Sequence, residues 1–536
     1  MKKFTIALAS ILLIMISSCR SGALSEYKAD IIPEPREVSL LRGSFIIDSQ
    51  TIIVSEERTA NSVKYLSDYL HKYYNLTLSH GATGSRAIVL SVKEMPQAKQ
   101  GAYSLDISSD SIRVTGYNEA GVFYGIQTLI QLLPTNLSGN ITVPCIKVED
   151  EPLFEYRGMH LDVVRHIFPV EYVKQYIDYL ALHKMNYFHW HLTDDQGWRM
   201  ESKSHPRLNE YGSYRDATII GVFPGTGVDS TRYGGYYTVE QMKEVVDYAA
   251  ERYITIVPEI DIPGHSMAIL AAYPQFGTQP DRVVKPAITW NIYNRQNNVL
   301  APSEEMFSFL EDVFNEMMDV FPGKYIHSGS DECAHKWWTE DPKTQRFIKE
   351  HDLKDEKGLQ SYFSKRVNDI IRARGRVAVG WDEVIDHEKV DGIVPMVWRN
   401  EQNVIEAVRQ GYDVILTPMP YSYFNARQRE DEPELTYPMP ATLMEKVYSF
   451  NPIPDGLTTE QKNQILGGQG CMWTEYYDSP ARVEYSVFPR ISALSEVYWS
   501  NPQNRKWDRF KSKIQTQFER YDLWGIRYCD YEKTRK

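Results

Sequence analysis

Two adjacent carboxylic acids, Asp331 and Glu332, form the most suggestive pair of catalytic groups in the sequence. They follow a short apolar segment, residues 325–327, that predicts a buried strand and leads into three small residues. Neighbouring carboxylates repel each other, so one tends to keep its proton near neutral pH while the other stays ionised. An acid beside an anion suits the cleavage of a glycosidic bond. The pair by itself also fits the start of a solvated helix, where the helix dipole favours acidic side chains.

Polar and aromatic residues also follow most of the other predicted strands. These strand ends carry Asp162 and Arg165, residues 189–196, residues 259–265, residues 381–383, Trp398, and residues 473–475, whereas Arg157 stands at the start of its strand. In a parallel α/β barrel, the segments that follow the strands build the active site. The sequence therefore predicts that these side chains converge on one site.

Two kinds of chemistry fit this set of residues. Five of them have the side chains of metal ligands, as in metal-dependent hydrolases built on barrels: His189, His191, Asp194, Asp261 and His265. Alternatively, His265 and the aspartates form a charge relay beneath a sugar-cleaving acid, and tryptophans line the pocket. Three tryptophans at strand ends favour the sugar, because a pyranose ring needs apolar walls for stacking and for the exclusion of water.

The elements that must position these groups are strands that alternate with amphipathic helices. Eight strand candidates occur at residues 158–163, 187–192, 254–260, 325–327, 377–381, 392–398, 414–417 and 465–473. The clearest helical patterns occur at residues 170–183, 239–252, 303–321, 358–374 and 481–499. This alternation predicts an α/β fold, a (β/α)8 TIM barrel over residues 151–536 that ends in a helical tail.

The segment before the barrel has a different, mixed pattern. Strands are expected at residues 44–54, 87–92, 103–107 and 111–115, and helices at residues 60–74 and 118–133. Residues 31–150 are therefore expected to form a small α/β domain. Two domains also agree with a length of 536 residues.

Composition restricts the class of protein and its partners. A hydrophobic share of 42% and a charged share of 24% are typical of soluble globular proteins. A net charge of −12 argues against nucleic acid as a partner, because nucleic-acid binding requires concentrated Lys and Arg. Four cysteines, residues 145, 333, 471 and 529, match no zinc spacing and are expected to be buried free thiols.

The N-terminus has the pattern of a bacterial export signal. Lys2 and Lys3 precede an apolar run, residues 4–16, and residues 16–19 (ISSC) resemble a lipobox. The pattern predicts a lipoprotein signal peptide over residues 1–19, lipidation of Cys19, and a polar tether over residues 20–30. The protein is then expected in the cell envelope, in the periplasm or on the outer-membrane surface, with the lipid as its only contact with the membrane.

Five segments together resemble the motifs of family 20 glycoside hydrolases, the β-N-acetylhexosaminidases. They are residues 189–198 (HWHLTDDQGW), 258–265 (PEIDIPGH), 327–332 (HSGSDE), 380–383 (GWDE) and 467–475 (GGQGCMWTE). The resemblance covers most of the chain and includes a small domain before the barrel. It implies an exo-acting, retaining enzyme without a cofactor that removes terminal GlcNAc or GalNAc from glycans. Such enzymes are substrate-assisted, since the 2-acetamido oxygen attacks C1 and forms an oxazolinium intermediate.

The resemblance also implies a role for each matching residue. Glu332 would be the general acid and then the base, and Asp331 would hold the acetamido N–H and stabilise its developing charge. Among the residues implied to bind the substrate, Arg157 would bind the 3- and 4-hydroxyls, Glu475 the 4-hydroxyl and Tyr423 the acetamido oxygen. Trp381, Trp398 and Trp473 would form the walls of the pocket. Asp194, Asp261 and His265 would form the network that tunes Glu332.

One departure from the family pattern occurs in residues 420–427 (PYSYFNAR). Asn425 stands where family members often carry an aspartate, and Arg427 is close to it. This arrangement resembles family members that accept 6-sulfated N-acetylglucosamine, as on mucin or glycosaminoglycan-type glycans, because a guanidinium can pair with the anion. The alternative is an Asn425 that binds a plain 6-hydroxyl beside a solvated Arg427. Two other functions remain open, a metal-dependent barrel hydrolase and a non-catalytic glycan-binding lipoprotein.

Overall fold

The computed structural model describes residues 29–82, 86–137, 139–432 and 435–531. The predicted signal peptide, Cys19 and the tether up to residue 28 lie outside the described residues. Ala29 and Asp30 were expected in the tether, but they are docked on the body of the protein. Arg509 Nη1 donates to Asp30 Oδ1 at 2.7 Å, and Thr516 Oγ1 donates to Asp30 Oδ2 at 2.8 Å. In the part of the chain that the structure describes, no helix has the length and apolar character needed to cross a membrane.

The small N-terminal domain is one mixed sheet with two helices. The strand order across the sheet is Glu37–Ile47, Ile141–Asp150, Tyr103–Ile107, Ser111–Gly116, Ala87–Val92, Ile52–Ser55 and Ser79–His80. Helices Ala60–Tyr74 and Glu119–Leu132 pack on this sheet. The single strand expected at residues 44–54 is wrong, because a turn closed by Thr51 N donating to Asp48 O at 2.9 Å divides it into two strands.

The barrel closes from eight parallel strands, and its predicted fold is confirmed. In chain order the strands are Tyr156–Asp162, Tyr187–His191, Thr255–Ile262, Tyr325–Gly329, Val377–Trp381, Val394–Val397, Val414–Leu416 and Ile465–Gly470. The first and last strands pair in parallel, which completes the ring. Every residue of the first strand is buried, as expected for a strand that contacts the barrel interior on one face and helices on the other.

Helices surround the barrel and continue into the C-terminal tail. The longer ones are Val170–Leu182, Val239–Ala250, Glu304–Val320, Pro342–Glu350, Glu356–Ala373, Glu401–Arg409, Pro480–Val487, Arg490–Trp499 and Trp507–Trp524. Shorter elements in the connecting segments are helices Met267–Ala272, Lys336–Thr339, Met419–Ser422, Met444–Tyr448 and Thr459–Asn463, and strand pairs Thr193–Asp194 with Gly197–Trp198, Tyr214–Arg215 with Tyr233–Gly234, and Ile219–Ile220 with Gly227–Val228. The helix expected at residues 481–499 is divided before Arg490, because Pro489 has no amide hydrogen and its ring obstructs the preceding turn.

A buried ion pair joins the small domain to the barrel. Lys184 Nζ lies 3.0 Å from Asp150 Oδ2, and both side chains are almost completely buried. Lys184 also donates to the Tyr103 hydroxyl at 2.8 Å, and the Trp499 indole donates to Asp150 at 3.0 Å. The four groups come from both domains and satisfy each other, so they form a buried polar cluster at the contact between the domains. The four cysteines within the described residues are free and buried, as expected.

Candidate active site

The turn after the fourth barrel strand presents Asp331 and Glu332 at the C-terminal opening of the barrel. Gly329, Ser330 and Glu332 adopt positive φ angles of 67°, 87° and 41°. A Cβ atom at Gly329 would lie 1.7 Å from Asp261 Oδ1, so only glycine fits there. Non-glycine residues in this region are strained by about 1–3 kcal/mol, which is typical of functional sites. The tight turn leaves the Glu332 side chain 47% exposed and the Asp331 side chain 15% exposed.

Alternating carboxylates and imidazoles lead from Glu332 into the barrel. His265 Nε2 faces Glu332 Oε2 at 3.6 Å and Asp331 Oδ2 at 3.7 Å. His265 Nδ1 lies 3.0 Å from Asp194 Oδ1, and His191 Nε2 lies 2.9 Å from Asp194 Oδ2. We call these residues, together with Glu259, the relay. Burial lowers the pKa of His265, but the negative charges of Asp194, Asp261 and Asp331 outweigh burial and hold that pKa well above its usual value.

Glu259 is the inner end of the relay and lies fully buried in the barrel. Its carboxylate contacts His191 Nδ1, and it is 3.0 Å from His189 Nε2 and 2.9 Å from His327 Nδ1. The Trp381 indole donates to Glu259 Oε1 at 2.9 Å. One buried carboxylate thus orients both the wall tryptophan and the inner histidine of the relay, although the sequence pattern did not single it out.

Aromatic rings form one wall beside the acid pair. Trp473 lies centrally, with its ring centroid 5.9 Å from that of Trp381 and 6.4 Å from that of Tyr423. Trp398 stacks beside Tyr423 at 6.3 Å, and its indole donates to Glu383 at 3.1 Å. The four predicted aromatic residues therefore lie together, as the wall of a sugar pocket requires.

Arg165 is a buried arginine at this site. Its Nη2 lies 2.6 Å from Asp194 Oδ2, its Nη1 lies 3.3 Å from Asp162 Oδ2, and its guanidinium lies 5.1 Å from the Trp473 ring centroid. Arg165, His265, Glu332 and Glu475 line one cavity of about 300 Å³. Burial raises the pKa of Glu475 to about 7, although Arg165 opposes this shift.

Arg157 does not reach this cavity, so the prediction that it binds hydroxyls is wrong. It is the second residue of its strand, and its guanidinium donates to the carbonyls of Lys184 at 3.0 Å and Phe154 at 2.8 Å. It also packs 4.9 Å from the ring centroid of Trp499. The start of a barrel strand lies at the end opposite the active site, and this signal was already present in the sequence.

Arg427 also lies elsewhere. Its Nη1 donates to the carbonyl of Glu430 at 3.4 Å, and it lines a separate small cavity with Tyr477 and Arg482. The prediction that Arg427 completes an anion site with Asn425 is therefore not supported by its position. Asn425 is buried beside the site, and its carbonyl accepts from Tyr437 N at 3.3 Å.

Several buried polar atoms at the site lack a hydrogen-bond partner among the described residues. They are Asp331 Oδ1, Glu475 Oε2, Asn425 Oδ1, Trp473 Nε1, Asp261 Oδ1 and His265 Nε2. Buried polar groups normally find partners, and each exception needs an explanation. A ligand rich in hydroxyl and amide groups supplies such partners.

A metal ion at Asp194 has less support than the relay. His191, Asp194 and Asp261 approach one another closely enough to share an ion, and so do Asp194, Asp195 and His265. However, Asp194 already accepts from two imidazoles and from Arg165, so its charge is balanced within the protein. The positively charged Arg165 beside the same carboxylate also repels a second cation.

The two acid groups have different proton affinities in the free site. Burial raises the pKa of Asp331 to about 6, Glu332 adds to the shift, and His265 opposes it. Burial raises the pKa of Glu332, but the charge of His265, whose Nε2 lies 3.6 Å from Glu332 Oε2, outweighs burial and holds that pKa below its usual value. The sequence predicted a shared proton, and in the free site that proton belongs mainly to Asp331.

Comparisons with known proteins agree with this geometry. A model of the glycosyl hydrolase family 20 catalytic domain matches residues 154–502, and a model of domain 2 of that family matches residues 28–151. Relatives include the β-hexosaminidases of Porphyromonas gingivalis, 36% identical over 98% of this chain and 68% of that protein, and Vibrio furnissii, 35% identical over 87% of this chain and 76% of that protein. A solved structure of the exo-β-N-acetylglucosaminidase from Vibrio harveyi with N-acetylglucosamine superposes with a TM-score of 0.84, at 31% identity, covering 94% of this chain and 79% of that one.

Proposed function

The chain belongs to glycosyl hydrolase family 20, and we propose that it removes terminal β-linked N-acetylhexosamine from glycans by substrate-assisted, retaining catalysis. Glycoside hydrolase activity of the β-hexosaminidase type follows from the family. The observation that carries the finer proposal is the relay that ends on Glu332, with the unpartnered Oδ1 atom of Asp331 and the aromatic wall beside it. An acid, an amide acceptor and an apolar wall are the groups that an acetamido sugar requires.

Asp331 and Glu332 divide the chemistry between them. Asp331 accepts the acetamido N–H and turns the acetamido oxygen towards C1, and Tyr423 donates to that oxygen. Glu332 protonates the glycosidic oxygen as the bond breaks, and then takes the proton of the water that opens the oxazolinium ring. Positive charge develops on the acetamido group in the transition state, and an ionised Asp331 stabilises it there.

Substrate binding must move the shared proton from Asp331 to Glu332. An N–H donor at Asp331 favours its ionised form and lowers its pKa. A sugar that covers the 47%-exposed Glu332 side chain removes water from it and raises its pKa. Both effects act in the same direction, so the substrate itself creates the active protonation state.

Arg165 and Glu475 are placed to hold the hydroxyls at the far end of the sugar. Both line the cavity that also contains Glu332, and Arg165 is fixed by Asp162 and Asp194. We assign to Arg165 the hydroxyl-binding role that the family resemblance implied for Arg157. A charge-assisted hydrogen bond from a fixed guanidinium is among the stronger contacts for a hydroxyl.

We keep tolerance of a 6-sulfated sugar as a proposal that rests on Asn425 alone. An amide does not repel an anion, whereas a carboxylate at the same position would. Asn425→Asp should therefore reduce kcat/KM on aryl 6-sulfo-β-GlcNAc about tenfold more than on aryl β-GlcNAc. Equal losses on the two substrates would show that Asn425 binds only a plain hydroxyl.

Initial rates on aryl β-GlcNAc and aryl β-GalNAc, with and without a chelator, test the main proposal. Release of the aryl group at rates that the chelator does not change supports a metal-independent hexosaminidase. Loss of activity with the chelator would favour the metal-dependent alternative. Sugar binding without any turnover would favour a glycan-binding protein.

We also propose that the enzyme acts in the cell envelope, held by a lipid on Cys19. The support is the sequence of residues 1–19 alone, with its two lysines, apolar run and lipobox. Labelling with a radioactive fatty acid in a bacterial host should modify the natural chain and not Cys19→Ala. Equal labelling of both chains would refute the anchor.

A further inference from the structure

The segment after the third barrel strand forms part of the wall of the cavity that contains Glu332. We call residues 289–295 the rim loop. Glu332 must reach the glycosidic oxygen, so the released part of the glycan lies on the Glu332 side of the cavity. Tyr293 and Arg295 line the same cavity as Glu332. The carbonyl of Asn294 also accepts from Lys336 Nζ, four positions after Glu332 in the chain.

Two positive charges at this rim are not neutralised. Among the described residues, neither Arg295 nor Lys336 forms an ion pair, although the chain carries an excess of twelve negative charges. Arg295 lies 4.5 Å from the Phe223 ring centroid, and Lys336 lies 4.3 Å from that of Trp337. Aromatic faces orient the two cations but leave their charges available.

The rim loop is held in place before any ligand arrives. Gln196 Nε2 donates to Thr289 O at 3.0 Å, and the Tyr437 hydroxyl donates to Asn291 Oδ1 at 3.2 Å. Asn291 and Asn294 take left-handed φ angles of 54° and 57°, which asparagine tolerates better than most residues. A pre-ordered loop loses less conformational entropy when it binds a ligand.

The deeper part of the cavity does not offer a comparable anion site. Its cations, Arg165 and His265, already face Asp194 at 2.6 Å and 3.0 Å. Glu332 and Glu475 line the same space and repel an anion when ionised. The free cations therefore mark the position of the sugar to which the N-acetylhexosamine is linked, rather than the position of the N-acetylhexosamine itself.

We propose that Arg295 and Lys336 form a subsite for an anionic group, a carboxylate or a sulfate ester, on the sugar to which the N-acetylhexosamine is linked. Tyr293, 45% exposed beside Arg295, offers an aromatic face to the ring of that sugar. The subsite rests on the proposed hexosaminidase activity and specifies its substrate class: glycans with acidic residues next to the terminal N-acetylhexosamine.

Matched disaccharides test this subsite. β-GlcNAc linked to galactose is compared with the same compound carrying 6-sulfogalactose, and β-GlcNAc linked to glucose with β-GlcNAc linked to glucuronic acid. We expect kcat/KM to favour at least one charged compound by about tenfold, as charge-assisted hydrogen bonds allow. Which compound is favoured identifies sulfate or carboxylate as the ligand. The preference should shrink as salt rises from 0.05 to 0.5 M, because the rim is open to solvent.

Variants then locate the source of the preference. The double variant Arg295→Ala, Lys336→Ala should bring the charged-to-neutral ratio close to one, and Arg295→Lys with Lys336 intact should retain part of it. Arg346→Ala removes one exposed guanidinium elsewhere on the surface and should leave the ratio unchanged. A wild-type ratio near one, or a ratio that survives in the double variant, overturns the subsite. Hydrolysis of aryl β-GlcNAc separates failure of the subsite from failure of the proposed function. If aryl β-GlcNAc is hydrolysed but the charged-to-neutral ratio of kcat/KM is near one, only the subsite is rejected. If aryl β-GlcNAc is not hydrolysed, the proposed function is rejected as well.

Discussion

Replacement of Asp331 by asparagine isolates the role of its charge. The amide keeps the shape of the side chain, so the tight turn and the contacts of Gly329 with Asp261 are preserved. It removes the negative charge that stabilises the acetamido group in the transition state. Loss of one such preorganised group costs about 10²–10³ in kcat, roughly 2.7–4 kcal/mol. We expect a loss of this size on aryl β-GlcNAc at the optimum pH.

The pH profile gives a second magnitude from the structure. The active pair holds one proton, and the upper pKa of the pair is that of Asp331, about 6. Wild-type kcat/KM should therefore fall about tenfold between pH 5 and pH 7. In Asp331→Asn the proton must reside on Glu332, whose pKa lies below its usual value. The variant should fall by nearly a hundredfold over the same range, since both pH values lie above that pKa.

Stability should change in the opposite direction to activity. The pKa of Asp331 is about 6 in the folded protein and about 3.9 in an unfolded chain, so folding favours the protonated form. This contribution to stability is complete below about pH 4 and is lost as pH rises through 6. The amide introduced by Asp331→Asn cannot ionise, so this variant removes the loss of stability that ionisation of the buried carboxyl causes. The Tm of the variant should therefore exceed that of the wild type at pH 7.5, and the difference in Tm should vanish near pH 4.

Two results would refute this reasoning. An unchanged kcat would show that the charge of Asp331 does not stabilise the transition state. If kcat/KM of Asp331→Asn still begins to fall only near pH 6, the titration belongs to another group. Glu475, with a pKa of about 7, is then the first candidate.

Three further predictions concern the acid, the turn and the domain contact. Glu332→Gln should lose turnover of alkyl glycosides by 10²–10⁴ but regain most of it with a dinitrophenyl leaving group, which needs no acid; equal losses on both would reject Glu332 as the acid. Gly329→Ala should abolish activity and lower Tm. The control Gly456→Ala, at φ 80° with open space around it, should lower the free energy of unfolding by about 1 kcal/mol and keep activity. Similar losses in both variants would reject the steric argument. Lys184→Met should lower the free energy of unfolding, measured in urea, by about 3–5 kcal/mol, because it leaves the buried Asp150 carboxylate without its cation. The control Lys64→Met, in an exposed pair with Asp68, should change that free energy by less than about 1 kcal/mol.

The architecture could be predicted because its signals are local. Each barrel strand is a short apolar run that leads into polar residues, and the aromatic and acidic residues after these runs do meet at one opening. The boundaries failed where one residue overrides a pattern, as Pro489 does within an otherwise helical segment.

The errors at the site have two different origins. Arg157 stands at the start of the first strand, which lies away from the opening, but the family resemblance assigned it the hydroxyl-binding role although Arg165 is the arginine of that strand's far end that lies in the cavity. The direction of a long side chain is set by partners that are distant in sequence. Arg427 turns towards the Glu430 carbonyl, and Glu259 becomes central only because three other strands bring His191, His327 and Trp381 to it.

The docking of Asp30 on Arg509 and Thr516 limits how far a membrane-attached enzyme can reach. With a lipid on Cys19, only residues 20–28 separate the bilayer from the folded body, and a fully extended chain of that length spans at most about 30 Å. The C-terminal helix Trp507–Trp524 would then stay on the membrane side. With such an anchor, the enzyme would act on glycan chain ends that come within that distance of the membrane.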